Sequence, residues 1–361
     1  MTESRSMAAK RQARQSGVEL LRILAAMAVV VIHFNYYPGG VGAADSATGF
    51  AKILLEGLEC LGVCAVNVFL LISGAFGSRA KRVKVRKLGL LLLQTIAFQV
   101  AANVALGVVT HVWDARKLLG ALLPVNYYVI LYVALMLVSP FVNAGLERLS
   151  LSALRRLALI AFLVFSVFAT LVDVAQEVTG TPLTGLSPIG IEGSMGGYTI
   201  VNFALVYLLG AWMKRDEAAL RERLGTPLLL GALAGSVLLL FAWHRTLPGT
   251  AWMYCNPLVI VEGCAAFLLF DRLRFSSGLV NRIAPAAFSC YLLQGYALGL
   301  VNLEHVGASP LPLLLGALIG CAVGIYALSV AVYLVWNAAV RRLFKDGTEK
   351  LIISAGDGAL R

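Results

Sequence analysis

Long apolar runs, each closed by a polar or basic cluster, dominate the chain from about residue 20 onward. Runs of about 20 residues match the hydrocarbon thickness of a bilayer. Ten spans are predicted, at 20–37, 60–77, 88–109, 126–146, 157–177, 198–213, 226–243, 253–270, 284–303 and 312–340, the last long enough to tilt or break. The larger connections are 38–59 and 178–197. The second contains "TGTPLTGLSPIGIEGSMGG", whose Gly, Pro, Ser and Thr predict a turn-rich cap. No internal or inverted repeat is visible, which weakens a transporter architecture. The pattern predicts an all-α fold, one polytopic membrane bundle of about ten transmembrane helices over residues 19–340.

Composition supports this and removes the soluble alternatives. Of 361 residues, 59% are hydrophobic and 14% charged, with mean hydropathy +0.83. A soluble domain carries about 25% charged residues, so this chain lacks the polar surface to coat a globule. The net charge of +11 raises the possibility of a nucleic-acid partner, but its placement argues for none. Of 30 Lys and Arg, 25 fall in the terminal segments or in loops near 78–87, 147–156, 214–225 and 271–282. Lys52, Arg116, Lys117 and Arg245 occupy the alternate loops, and Arg22 sits at the mouth of the first span. Such a bias marks the cytoplasmic side, where basic loops meet anionic lipid headgroups. Both termini are predicted cytoplasmic, with tails at 1–18 and 341–361.

A secretory leader is the competing reading of the first run, with "VGAAD" as a cleavage site. The run is long for a leader core and carries both Arg22 and His33, so a retained helix is expected. The six cysteines lie in or beside apolar spans without metal-type spacing to histidines, and are read as small packing residues. No metal site is predicted.

The polar residues inside the spans carry the chemistry. In "RILAAMAVVVIH", Arg22 and His33 are eleven positions apart, three helical turns plus about 20°, so they share a face about 16 Å apart along the axis. Ionisable groups at membrane depth are costly in lipid and should face a protein interior or a wet cavity. Snorkelling for Arg22 and a helix-to-helix hydrogen bond for His33 are the structural alternatives. Glu19, one turn before Arg22, can orient the guanidinium. In "VNVFLLISGAF", Asn67, Ser73 and Gly74 are small or polar positions where helices approach closely. Six basic residues follow, Arg79, Lys81, Arg82, Lys84, Arg86 and Lys87. They read as a cytoplasmic loop or as a surface for a polyphosphorylated ligand. Glu262 and Asn256 are read as either structural hydrogen-bonding groups or cavity-lining groups, Asn256 beside the ladder-breaking Pro257. Asn126, Tyr127 and Tyr128 open the fourth span at the outer face, the tyrosines as interfacial aromatic anchors. His111, His244 and His305 fall near outer loops and are expected to be solvated.

These residues resemble a known family. "ELLRILAAMAVVVIH" is similar to the opening helix of the integral-membrane acyltransferase family 3, the sugar and cell-envelope O-acyltransferases, in which an Arg precedes a His by ten intervening residues. "VFLLISGAF", with its basic sequel, resembles that family's Phe-x-x-Ser-Gly element. "YYVILYVALMLVSPFVN", "YTIVNFALVYLLGAWMKR" and "MYCNPLVIVEGCAAFLLF" resemble later segments, extending the likeness over about 18–340. "FSCYLLQG" departs from it: Gln294 stands where the family often carries His.

The resemblance implies transfer of an acyl group, usually acetyl, from cytoplasmic acyl-CoA to an extracytoplasmic glycan or lipid-linked sugar, with no bound cofactor. It implies His33 as general base on the acceptor hydroxyl. Arg22, held by Glu19, would contact donor phosphate or orient the thioester. Arg82, Arg86 and Lys87 would bind the donor, with Arg86 the best match to the family's second arginine. Ser73 would bond the reacting carbonyl or serve packing alone. Asn67, Asn256, Glu262 and Gln294 are expected to line the cavity. A bacterial plasma membrane is the expected location. A permease for a small polar solute is the alternative, and a sensory or scaffold protein a more remote one.

Overall fold

The computed structural model describes residues 16–343. The expected tails lie outside the described residues except for 16–18 and 341–343, which are helical: the first helix begins at Ser16 and the last ends at Leu343. Twelve principal helices follow in chain order: α1 (Ser16–Asn35), α2 (Gly49–Gly62), α3 (Ala65–Gly77), α4 (Val85–Thr110), α5 (Tyr127–Arg148), α6 (Leu151–Phe162), α7 (Ala169–Thr179), α8 (Ile200–Arg215), α9 (Thr226–His244), α10 (Pro257–Asp271), α11 (Ala287–Leu298) and α12 (Leu311–Leu343). No strand occurs among the described residues. A π-helical stretch, Leu163–Phe168, joins α6 to α7.

Among the described residues, seven segments are long and apolar enough to cross a membrane: α1, α2 with α3, α4, α5, α6 with α7, α9 and α12. Three further predicted spans coincide with α8, α10 and α11, of 16, 15 and 12 residues. At 1.5 Å per residue, α11 covers about 18 Å, well short of a hydrocarbon core of about 30 Å.

The expected loop at 38–59 is in large part helical. It holds the short helix Ala43–Ser46 and α2, which continues through Val63 and Cys64 into α3. Glu56 and Glu59 interrupt the apolar pattern there and hid the helix. Both are buried, and each is held by a partner: Arg245 Nη1 donates to Glu56 Oε2 at 3.0 Å, and Asn35 Nδ2 to Glu59 Oε2 at 3.0 Å.

Helix α1 is wedged between two packed clusters. Val18, Leu21, Ala25 and Val29 join the cluster built by α3, α8 and α10. Ile23, Ala26, Val30 and Phe34 join the one shared with α11 and α12. A helix apolar all round belongs in such an interior position. Its first turn is anchored by Ser16, whose amide donates to Phe275 O (3.1 Å) and whose hydroxyl donates to Asn281 Oδ1 (3.0 Å).

Within a bilayer, close backbone approach replaces much of the hydrophobic driving force. Helices α3 and α8 cross at paired glycines: a Cβ on Gly74 would strike Tyr207 O, and one on Gly210 would strike Leu71 O. Asn143 of α5 braces this crossing. It accepts from the Tyr207 hydroxyl at 2.9 Å and donates to Gly77 O and Ala80 O, both at 3.0 Å, fixing the start of the basic loop. Beyond the end of α8, Arg155 donates to both oxygens of Asp216 at 2.6 Å. That pairing holds the Asp216 carboxyl below the usual carboxylate range, against the opposing effect of burial.

Candidate active site

The side of α1 that carries Arg22, Val29 and His33 faces two cavities. The larger, about 840 Å³, takes His33 at the C-terminal end of the helix, and its walls include Gln99, Asn103, Asn126 and Gln294. The smaller, about 240 Å³, takes Arg22 and Val29, with Ser73, Tyr128 and Tyr132 opposite. Tyr291 belongs to the walls of both. Its hydroxyl donates to Asn126 Oδ1 at 2.8 Å, and that oxygen also caps α5 by accepting from the Val129 amide at 3.2 Å. Tyr291 therefore links α11 to the start of α5 at the boundary between the two spaces.

Arg22 and Glu19 form the expected pair one turn apart. Arg22 Nη1 donates to Oε1 at 3.1 Å and to Oε2 at 3.2 Å, and Glu19 is buried. His33 Nδ1 lies 2.5 Å from Gln294 Nε2 on α11. The His33 cavity is rich in neutral hydrogen-bonding groups. Asn103 Nδ2 donates to the Tyr296 hydroxyl at 3.2 Å, the Tyr37 hydroxyl donates to Gly295 O at 3.0 Å, and buried Gln99 Oε1 lacks a partner among the described residues. At its rim stand Trp113, Asp114 and Lys117. Among the described residues, no group of three or more His, Cys, Asp or Glu could hold a metal ion.

A family model described as an acyltransferase domain, acyltransferase family 3, matches residues 15–336. The chain belongs to this family. Searches of curated proteins and of solved structures return no match. It is thus a multi-pass membrane acyltransferase, and its site residues divide by placement.

The acyltransferase's predicted residues are not all brought together. Ser73 reaches the smaller cavity, but its hydroxyl donates to Phe69 O at 2.8 Å, a bond along its own helix. Arg82, Arg86 and Lys87 are exposed and line neither cavity. Arg86 and Lys87 open α4, about one turn before Leu91, which does line the Arg22 cavity. They stand beside that space rather than in it.

Of the four expected cavity residues, Gln294 alone lines one of these two spaces. Asn67 is fully buried and donates to Tyr254 O at 2.8 Å, tying α3 to the segment before α10. Asn256 caps α10, accepting from the Leu258 amide at 2.9 Å and donating to Thr250 O and Ala251 O. It supplies the cap at the helix start that Pro257 permits. Glu262 is fully buried between helices, beside the Cys64 thiol.

Two other residues are also placed differently from expectation. His244 is shielded, its ring stacked on Trp252 with centroids 3.7 Å apart. Asn126 and Tyr128 form cavity walls, so Tyr128 is not the interfacial anchor expected. Gln99, Asn103, Tyr291 and Tyr296 escaped the sequence reading, although each is an amide or phenol inside an apolar run.

Proposed function

We propose that this acyltransferase moves an acyl group, acetyl in the first instance, from cytoplasmic acyl-CoA to a hydroxyl of an extracytoplasmic cell-envelope glycan or lipid-linked sugar in a bacterial plasma membrane. The observation that carries the proposal is the pair of cavities along α1, one holding Arg22 and the other His33, with Tyr291 common to both. A space of about 240 Å³ is small for a whole ligand, since complete small-molecule sites run to about 300–1,000 Å³. It suits the thioester arm of the donor. The nucleotide then stays outside, where Arg82, Arg86 and Lys87 supply positive charge for its phosphates.

The larger cavity suits a polyhydroxylated acceptor. Amide and phenol groups exchange hydrogen bonds with hydroxyls without demanding a charge, and Gln99 Oε1 is an acceptor awaiting a donor. His33 removes the hydroxyl proton as the oxygen attacks the thioester carbonyl. The new C–O bond forms, the C–S bond breaks, and the imidazolium returns its proton to the departing thiolate. Proton removal concerted with attack avoids a free alkoxide in a low-dielectric interior. The concentration of Lys and Arg in alternate loops supports a cytoplasmic donor side and an opposite acceptor side.

The test is mass spectrometry of envelope glycans from cells carrying the wild-type gene, no gene, or His33→Ala at equal membrane abundance. Loss of one acetyl mass in the latter two supports the proposal. Full acetylation by His33→Ala refutes the general-base role, and unchanged glycans without the gene refute the acceptor class.

A further inference from the structure

Gln294 is 5% exposed, and its Oε1 has no hydrogen-bond partner among the described residues, while its Nε2 lies 2.5 Å from His33 Nδ1. A neutral imidazole has one N–H and one lone pair, so whatever meets one nitrogen decides the state of the other. If the amide N–H donates to Nδ1, the ring proton must sit on Nε2. Neither nitrogen is then a vacant base. A half-turn of the amide plane fills nearly the same volume and exchanges the two atoms. Oε1 then accepts from Nδ1–H, and Nε2 carries a free lone pair. The separation puts the amide within hydrogen-bond reach of Nδ1 in either orientation, and the one with oxygen facing Nδ1 is the one that leaves Nε2 free as a base.

We propose that Gln294 is a positioning residue that sets the tautomer of His33, its amide oxygen holding the proton on Nδ1 so that Nε2 is the base in the transfer-competent enzyme. This rests on the reading of His33 as general base. The residue touches no reacting atom; it acts through the ring. A side chain without an acceptor should release the tautomer, whereas an isosteric carboxyl group should preserve it, because either carboxyl oxygen can take the Nδ1–H.

The experiment compares wild type, Gln294→Leu, Gln294→Glu and His33→Ala as full-length protein. Membrane vesicles that retain the endogenous acceptor are supplied with radiolabelled acetyl-CoA, and the maximal rate of label transfer to the glycan fraction is normalised to protein amount. The same four proteins, with nitrogen-labelled histidine in nanodiscs, are examined by nitrogen NMR, His33→Ala identifying the His33 signal.

The expected result is an Nδ1–H tautomer in wild type and Gln294→Glu, lost in Gln294→Leu. The maximal rate should fall about 10²-fold in Gln294→Leu, the lower end of what general-base catalysis supplies. The acetyl-CoA concentration for half-maximal rate should stay unchanged, and Gln294→Glu should recover most of the rate. A wild-type rate in Gln294→Leu, or a wild-type His33 protonated on Nε2, overturns the proposal. An active His33→Ala overturns the base assignment instead. Wild-type vesicles that transfer no label overturn the donor assignment, while the tautomer measurement still decides the role of Gln294.

Discussion

The Glu19–Arg22 pair gives the most quantitative test of the proposed donor site. Glu19→Gln changes a buried carboxylate into an amide of the same shape. It replaces two ion-pair contacts, at 3.1 and 3.2 Å, with at most one hydrogen bond from the guanidinium to a neutral amide oxygen. One bond to a charged group contributes about 1.5–3 kcal/mol, less where solvent reaches the pair, so losing one contact and the partner's charge costs Arg22 about 1–2 kcal/mol of positioning. The guanidinium side chain is 29% exposed, and solvent screening places the loss toward the lower figure. A loss of 1–2 kcal/mol corresponds to about a 5- to 30-fold effect. The assay is acyl-CoA dependence of transfer by purified protein in vesicles, with kcat/KM for the donor expected to fall by about that factor. The apparent KM for acceptor should be unaffected. If Glu19 works through Arg22, Glu19→Gln in an Arg22→Ala background should add nothing further, as a double-mutant cycle requires. Wild-type donor kinetics in Glu19→Gln, or an equal loss with and without Arg22, would refute the coupling.

Other consequences follow from the packing and from the boundary between the cavities. Gly74→Ala drives a methyl group into the Tyr207 carbonyl and should cost about 1–3 kcal/mol of stability. Thermal unfolding in detergent reads this, with Gly89→Ala, whose Cβ meets open space within α4, as a control expected to be stabilised by about 0.5–1 kcal/mol. Tyr291→Ala removes the residue shared by both cavities and should admit water to the thioester. Thiol release from acyl-CoA without acceptor should therefore rise, and an unchanged rate would argue against a partition. The Asp216 carboxyl, lowered by Arg155, contributes stability that is complete above the ordinary carboxylate value of about 3.9 and is lost as pH falls through its depressed folded value. The melting temperature of wild type should therefore drop more steeply on acidification below about pH 4 than that of Asp216→Asn, and parallel curves would count against the pairing.

The sequence singled out Arg22 and His33 as the frame of the candidate site because two ionisable residues in an apolar helix violate a strong rule. A guanidinium and an imidazole within one apolar helix demand a common explanation, and the eleven-residue spacing supplies a shared face before any coordinates exist. Gln294 was noticed for a different reason, because it stands where the resembled family often carries His. What the sequence could not do was separate polar groups that face a cavity from those that face a neighbour's backbone. Asn67 and Asn103 look alike as isolated amides in apolar spans, yet Asn67 bonds Tyr254 O and Asn103 lines the His33 cavity. That difference is decided by which helices pack on either side, a tertiary fact. The hidden helix α2 shows the converse. Glu56 and Glu59 lowered its apparent hydropathy, although Arg245 and Asn35 make their burial tolerable. Partners 20 or more residues away are invisible to a window sliding along the chain.

The spacing that revealed the site also divides the labour within it. Side chains on a helix lean toward its N-terminus, so Arg22 and His33 lean the same way and keep their separation of about 16 Å. One thioester carbonyl cannot meet both groups. Since the base must touch the attacking hydroxyl, the reacting carbonyl belongs near His33, and Arg22 is left to hold a part of the donor distant from the bond that breaks. Of the two roles open to Arg22, phosphate or arm contact fits this geometry and direct orientation of the thioester does not. Binding energy collected at such a remote contact can still serve catalysis, because it offsets the cost of drawing the acyl end past Tyr291 into the acceptor space. On the proposed mechanism Arg22 and His33 act on separate stretches of one donor molecule, its arm and its acyl end, and α1, packed on two sides by the bundle's core clusters, is the rigid ruler that fixes the distance between them.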